Sequence, residues 1–233
     1  MIKSDEGFLL SKFKYNENSI IADFYTKTNG KISGIIFGGT SKKIKNYLQI
    51  GNNFHVNFNS KSDNRIGYFK VEIEQALSPY YFDDQHKLLC ITSAMHLVRL
   101  LNAEFQKNES IFKLIENFYD ILKSKNWIKD YIFWELNLFK ILGFDLDLKS
   151  LVDEKIIGNE KKYISKSLTE KKIIPNFLIE YKNNSEELVN LLDGLKLVGD
   201  YLEKTILKPN NLTQPVSRLN FINALKWLFY KII

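Results

Sequence analysis

The first 78 residues alternate between apolar and polar side chains over short runs that Gly and Asn separate. A period of two is typical of strands with one buried face. Asn29-Gly30 predicts a tight turn because both residue types adopt positive φ at little cost. Five short strands with a longer connection after the third predict a small closed barrel, for which the five-stranded OB-fold is the candidate. The predicted strands are 7–15, 19–26, 31–37, 53–59 and 66–74.

After Ser78-Pro79 the spacing of apolar residues changes to the helical period of 3.6. The acidic pair Asp83-Asp84 suits the start of a helix, and Gly143 is expected to end a later helix in the left-handed conformation. The predicted helices are 83–105, 111–122, 128–142, 188–202 and a last one from about Val216.

These patterns predict an α+β protein with two domains. An OB-fold β-barrel domain is expected at 1–78 and an α-helical C-terminal domain at 79–233. The second domain includes a basic, weakly patterned segment at about 145–184, which Pro175 interrupts and which we expect to be irregular.

Basic residues are concentrated in one window of the predicted barrel. The formal net charge is +6, yet no Asp or Glu lies between Asp23 and Asp63. A β surface without carboxylates suits a polyanion, and nucleic acid is a common one. A solvated basic edge that blocks strand-to-strand aggregation is the alternative. The candidate phosphate contacts are Lys27, Lys31, Lys42, Lys43 and Lys45.

Aromatic residues in the same window offer platforms on which unpaired bases can stack. The candidates are Phe37 and Tyr47, with Tyr25 as a third. Each of them is otherwise explained as core filling, and the sequence leaves both interpretations open.

A second group of lysines lies in the weakly patterned segment. It is interpreted either as a second phosphate-binding surface or as a solvated loop. Its members are Lys155, Lys161, Lys162, Lys166, Lys171 and Lys172.

Residues capable of catalysis or metal binding are few and have simpler explanations. Cys90 is the single cysteine, which excludes an internal disulfide, and its place in an apolar helical row favours packing over a Cys–His nucleophile with His86. Glu135 lies within an apolar helix and is expected in a structural ion pair. Asp145 and Asp147 are expected to cap turns rather than to act as paired acids.

Signature motifs of several enzyme and membrane classes are absent from the sequence. It contains no P-loop, dinucleotide fingerprint or metalloprotease motif. It contains neither a bilayer-spanning apolar run nor a signal peptide at its start. We therefore expect a cytoplasmic protein that is not an enzyme and needs no cofactor or metal.

Several short motifs occur in a recognisable order. The most specific is Gly143-Phe144-Asp145-Leu146-Asp147-Leu148. By these motifs the chain resembles the RecO family of bacterial recombination mediators over essentially its full length. The other matching motifs are Glu6-Gly7, Thr26 with Gly30, Gly38-Gly39-Thr40-Ser41-Lys42, Trp134-Glu135-Leu136 and Pro215-Val216-Ser217-Arg218.

The resemblance implies an N-terminal OB-fold that binds single- and double-stranded DNA and a helical C-terminal domain. It also implies annealing of complementary strands, action with RecR to load RecA onto DNA coated with SSB, and work at the nucleoid. Family members dock the acidic, hydrophobic-ended SSB tail on the helical domain. Arg99, Arg218 and the Lys155–Lys172 segment are candidates for that contact.

The chain departs from the family pattern at one place. Many members carry a zinc-binding cysteine cluster whose first cysteine would fall near Leu151, but no cysteine follows there. Zinc is therefore not expected. A protein-interaction adaptor built on a small barrel, with no DNA binding, is the alternative function.

Overall fold

The computed structural model describes residues 2–60, 66–157, 160–166, 171–181 and 184–232. The N-terminal strands are β1 (Ile2–Lys14), β2 (Ser19–Thr26), β3 (Gly30–Phe37), β4 (Asn53–Asn59) and β5 (Gly67–Gln75). They close into a barrel in the order β1-β2-β3-β5-β4, with β1 also paired to β4. All neighbours are antiparallel except β3 and β5. The five-stranded OB-fold is confirmed.

The alternation predicted from the sequence places every second side chain inside the barrel. Phe24 lies at the centre, with its ring 5.6 Å from Phe54 and 5.1 Å from Phe69 in edge-to-face contacts. Helix α1 (Lys42–Tyr47) connects β3 to β4 and packs Ile44 against this core. The other buried members are Leu9, Ile20, Ala22, Ile32, Ile36, Leu48, Val56 and Phe58.

Helices follow the barrel where the sequence predicted them. A 3-10 turn (Ser78–Tyr81) leads to α2 (Gln85–Leu101), which Asp84 caps by accepting a hydrogen bond from the Lys87 amide at 3.1 Å. The helix α3 (Glu109–Lys123) comes next.

The chain divides into two compact units, 1–119 with 215–221 and 120–214 with 222–233. The first unit extends well past the predicted boundary at 78, because residues after the barrel contact it. Tyr119 donates a hydrogen bond to the Gly51 carbonyl at 2.5 Å, and the rings of Phe8 and Phe112 lie 5.4 Å apart. The change from strand to helix and the edge of the compact unit are therefore different positions.

The second unit contains α4 (Trp127–Ile141), α5 (Leu188–Tyr201) and most of α6 (Val216–Ile232). Gly143 follows α4 at φ +89°, which confirms the predicted left-handed end. A π-helical turn (Leu202–Leu207) and a 3-10 turn (Lys208–Asn210) continue from α5.

The expectation of an irregular segment at 145–184 is wrong. The segment contains a three-stranded antiparallel sheet of β6 (Val152–Ile157), β7 (Glu160–Ser165) and β8 (Ile173–Ile174), in that order. Charged residues occupy both faces of β6 and β7, so no apolar alternation marked them as strands.

Ion pairs and a hydrogen bond stabilise the sheet on the face that carries Glu154, Lys161 and Tyr163. The Lys161 ammonium lies 2.8 Å from carboxylate oxygens of both Glu154 and Glu180, and the Tyr163 hydroxyl donates to Glu180. The hydrogen bonds that the Lys161 ammonium donates to these carboxylates raise its pKa. Among the described residues no three His, Cys, Asp or Glu side chains gather as metal ligands, and Leu151 is exposed.

Within those same parts of the chain, no helix combines the length and apolar character that crossing a bilayer requires.

Candidate nucleic-acid interface

Helix α1 presents three of the predicted lysines to solvent. Ser41 caps its start, and Ile44 and Tyr47 pack inward, so Lys42, Lys43 and Lys45 point outward and are exposed. Within the described residues, none of these three lysines forms an ion pair with a carboxylate. Their charges are available to an anion.

The loop before α1 owes its shape to two glycines. Gly38 has φ +70°, and a Cβ on Gly39 would lie 2.6 Å from the Ile20 side chain. Thr40 then donates its hydroxyl to the Glu17 carbonyl at 2.7 Å. The loop and the β1–β2 turn therefore share one end of the barrel, which places the α1 lysines at that end.

An apolar row crosses the outer face of the barrel. Phe13 pairs with Ile21, Ile21 with Ile35, and Ile35 with Tyr68, which joins β1, β2, β3 and β5 in register. Phe13 is 49% exposed, and the other three side chains are half-buried. At about 4.8 Å per strand, the row is about 14 Å long. We call these four residues the barrel row.

Phe37 extends the barrel row toward the α1 lysines. It lies two residues beyond Ile35 on the same face, is 63% exposed and has its ring 5.8 Å from that of Tyr68. The structure thus leaves Phe37 open as a stacking platform. Phe13 and Tyr68 were not predicted as site residues, although alternation already placed Tyr68 opposite the buried Phe69.

Two of the three aromatic rings predicted as stacking platforms, Tyr25 and Tyr47, pack against other residues of the protein. Tyr25 is fully buried, its hydroxyl donates to the Asn108 carbonyl at 3.3 Å, and burial raises its pKa to about 12. Tyr47 packs against the barrel core with its ring 6.3 Å from Phe54. Stacking on Tyr25 is excluded by burial, and Tyr47 offers only part of its surface.

Lys31 and Lys27 differ from the α1 lysines. Lys31 is half-buried and donates to the Arg99 carbonyl at 2.9 Å, and burial lowers its pKa. It therefore holds the end of α2 rather than presenting a free charge. Lys27 is exposed, 3.9 Å from a Glu6 carboxylate oxygen.

Arg99 lies beside the barrel row instead of in a separate pocket. Its Nε donates to the Asp23 carboxylate, and its guanidinium carbon lies 5.0 Å from the centroid of the Phe13 ring. Asp23 is 6% exposed and also accepts from the hydroxyls of Ser11 at 2.6 Å and Ser33 at 2.7 Å. Burial raises the pKa of Asp23, but these hydrogen bonds outweigh it and hold the pKa below its usual value.

The expectation that Arg218 contacts a partner does not fit the structure. Arg218 is only 1% exposed and ranks among the largest fully buried side chains. Its neighbour Ser217 is buried too, 2.9 Å from His96 Nδ1. Position 218 therefore belongs to the interior of the first unit.

The second group of lysines is divided by the register of the three-stranded sheet. Lys161 lies on the face that carries Glu154 and Tyr163 and forms ion pairs there, whereas Lys155 and Lys162 pair directly across β6 and β7 on the opposite face, which we call the outer face. Lys166 donates to the Ser150 carbonyl at 2.8 Å, and Lys172 lies 3.7 Å from Asp200. The exposed outer lysines are Lys155 and Lys171, beside the half-buried Lys162.

The closed five-stranded barrel places the N-terminal part of the chain in the OB-fold class. Comparison with models of protein families narrows this class to one family. The model described as Recombination protein O N terminal matches residues 1–76, and that described as Recombination protein O C terminal matches residues 83–199. The chain belongs to the RecO family. This places it among proteins of DNA repair and recombination.

Full-length relatives agree with the family models. The DNA repair protein RecO of Rhodospirillum centenum is 23% identical over 235 residues, covering 94% of this chain and 93% of the relative. That of Rhodopseudomonas palustris strain HaA2 is 27% identical, with 95% and 94% covered. That of a Wolbachia from Drosophila simulans is 25% identical, with 92% and 96% covered.

Proposed function

We propose that this protein binds single-stranded DNA on the barrel row and the α1 lysines, anneals complementary strands, and helps load RecA onto SSB-coated DNA together with RecR. The observation that carries the proposal is that the exposed Phe37, in contact with the half-buried Tyr68, lies five residues before the first of the α1 lysines, which have no carboxylate partner among the described residues.

The two parts of this surface supply different contributions to binding. Lys42, Lys43 and Lys45 supply phosphate contacts, whose free energy comes from release of counterions and falls with salt. Phe37 and the barrel row supply flat apolar area, on which unpaired bases stack without regard to sequence. A duplex keeps its bases stacked inside, so the row favours a single strand, while the lysines also attract double-stranded DNA.

Annealing requires that two strands be held at once. The outer lysines of the three-stranded sheet, Lys155 and Lys171 with Lys162, are a second cationic surface in the other compact unit. Asp153 also belongs to this face, two residues before Lys155.

The proposed protein partners rest on family membership. With Arg218 buried, the Lys155–Lys172 segment is the stronger candidate for the SSB tail, since a lysine beside an apolar surface suits an acidic, hydrophobic-ended segment. Ile173 supplies exposed apolar surface there. Binding to chromosomal DNA would place the protein at the nucleoid.

A salt titration of binding to a labelled single strand tests the proposal. The double substitution Lys42→Ala with Lys43→Ala should weaken binding and reduce the slope of log K against log salt by about 0.7 for each lost phosphate contact. The matched control is Lys113→Ala with Lys123→Ala. It removes the same charge from α3, where each lysine pairs with a carboxylate, so the slope should not change.

Unchanged affinity and slope in the Lys42 and Lys43 double variant would show that α1 is not the DNA site. Salt-insensitive binding to a protein partner, with no affinity for DNA near physiological salt, would instead support the adaptor function.

A further inference from the structure

We infer that Arg99 contacts a base of the bound strand, so that the DNA site extends beyond the OB barrel to the last turn of α2. This inference rests on the proposed function and assigns a contact within the same site. It also assigns Arg99 a different role from the partner contact that the family resemblance suggested.

Arg99 is held rigidly at one end of the barrel row. Its guanidinium lies over the open Phe13 ring, and its Nε–H is taken by Asp23. Its own carbonyl accepts from Lys31. An arginine fixed by a carboxylate and an aromatic face loses little side-chain entropy when it makes a further hydrogen bond.

Arg99 keeps donors for a ligand. Its side chain is 41% exposed. A guanidinium has five N–H donors. Asp23 uses the one on Nε, and no acceptor among the described residues takes those on the two Nη nitrogens. The free donors therefore border the surface on which bases are proposed to stack.

The local charge balance favours a base over a phosphate as the acceptor. Two cations, Arg99 and Lys31, lie with two carboxylates, Asp23 and Glu104, and both carboxylates are within hydrogen-bond distance of the Ser33 hydroxyl. This group has a formal net charge of zero, so it exerts little attraction on an anion. A base edge offers neutral acceptors, and guanine O6 and N7 match the two-pronged geometry of arginine.

The test compares Arg99→Ala and Arg99→Lys with wild type on three labelled strands: oligo-dT, the same strand with one central guanine, and the same strand with one central abasic site. The wild-type protein should prefer the guanine strand. Each variant should lose that preference, by about tenfold or more in affinity for the guanine strand, which is the scale of one bidentate arginine–guanine pair. Affinity for the abasic strand and the salt slope should not change.

Three results would overturn the inference. One is a wild-type protein without preference for guanine. The second is an equal loss on all three strands, which would indicate that Arg99 only supports the fold. The third is a reduced salt slope, which would indicate a phosphate contact.

The α1 double variant, measured on the same strands, separates this inference from the proposed function. If that variant binds like wild type, the proposed function fails. If it loses affinity while the Arg99 variants do not, only the inference about Arg99 fails. Thermal unfolding of each variant shows whether Arg99→Ala is folded, and Arg99→Lys, which retains the charge, provides a second variant if it is not.

Discussion

The barrel and the three-stranded sheet of the second unit are both rich in lysine but use it differently. On the barrel, α1 places Lys42 and Lys43 outside a closed apolar core. On the sheet, the strand register places Lys161 on the face where it pairs with Glu154 and leaves Lys155 on the opposite, outer face. Similar local composition therefore produces a group of exposed lysines on α1 and a second group that the strand register divides between two faces. The backbone decides which lysines remain available.

The barrel and the three-stranded sheet also differ in their exposed apolar residues. The barrel row joins four strands in register, and Phe37 extends it toward the α1 lysines. The sheet offers Ile156 and Ile173 as exposed apolar side chains. Base stacking is thus proposed for the barrel alone, and phosphate contact for both surfaces.

The largest expected effect is on stability and comes from removing the charge of Asp23, which holds Arg99 beside the barrel row. Asp23→Asn should lower the free energy of unfolding by about 2 to 4 kcal/mol, because it removes the charge that Arg99, Ser11 and Ser33 stabilise in a buried position. Chemical denaturation of the two proteins at neutral pH measures the difference. A loss below 0.5 kcal/mol, which surface substitutions commonly give, would contradict the role assigned to Asp23.

The same pair of proteins predicts a pH dependence. The pKa of Asp23 is lower in the folded protein than its usual value of 3.8. Its contribution is therefore fully present above that value and is lost as pH falls through the folded pKa. The stability difference between wild type and Asp23→Asn should shrink as pH drops below 3.8. A difference that is constant from neutral to acid pH would show that the carboxylate is not preferentially ionised in the fold.

Removing the exposed ring of the barrel surface should have the next largest effect. Phe37→Ala should weaken single-strand binding by about 1 to 3 kcal/mol, the value of one base stacked on an aromatic ring. The salt slope should stay the same because no charge is removed. Tyr80→Ala, which removes an exposed ring outside the barrel row, is the control and should bind as wild type. Equal losses in both variants would count against stacking on Phe37.

The outer lysines of the sheet are expected to contribute less. Lys155→Ala with Lys171→Ala should slow annealing of complementary strands and change binding of one short strand little, since the barrel surface is intact. Fluorescence resonance energy transfer between two labelled strands measures the rate of annealing. Lys196→Ala, an exposed lysine on α5, is the control for the loss of charge. An annealing rate equal to that of wild type would remove the sheet from the DNA site.

The smallest effect on DNA binding is expected from Lys161, which lies on the opposite face of the sheet from Lys155. Lys161→Gln should leave the salt slope of DNA binding unchanged, because Glu154 and Glu180 already neutralise this lysine. A slope reduced by about 0.7, the value of one lost phosphate contact on a single strand, would show that register does not divide the lysines as the structure indicates.

Much of the fold was predictable from local pattern. The strand at 19–26 and the strand at 53–59 were predicted with the bounds that the structure has, because their alternation is strict and turn residues flank them. The start of α2 at Asp84 and the left-handed end at Gly143 follow from capping chemistry, which is also local. The sheet at 152–174 escaped prediction because charged residues lie on both faces of β6 and β7 and break the apolar alternation.

The sequence by itself determined the barrel strands, most of the helix positions and the carboxylate-free window that holds the α1 lysines. Only the tertiary structure decided which members of that window reach solvent. Tyr25 and Lys31 are covered by residues after the barrel, and Arg99 joins Asp23 across 76 residues of chain. Alternation assigns a side chain to a face of a strand, but whether another element covers that face depends on contacts between distant residues, which no local pattern records.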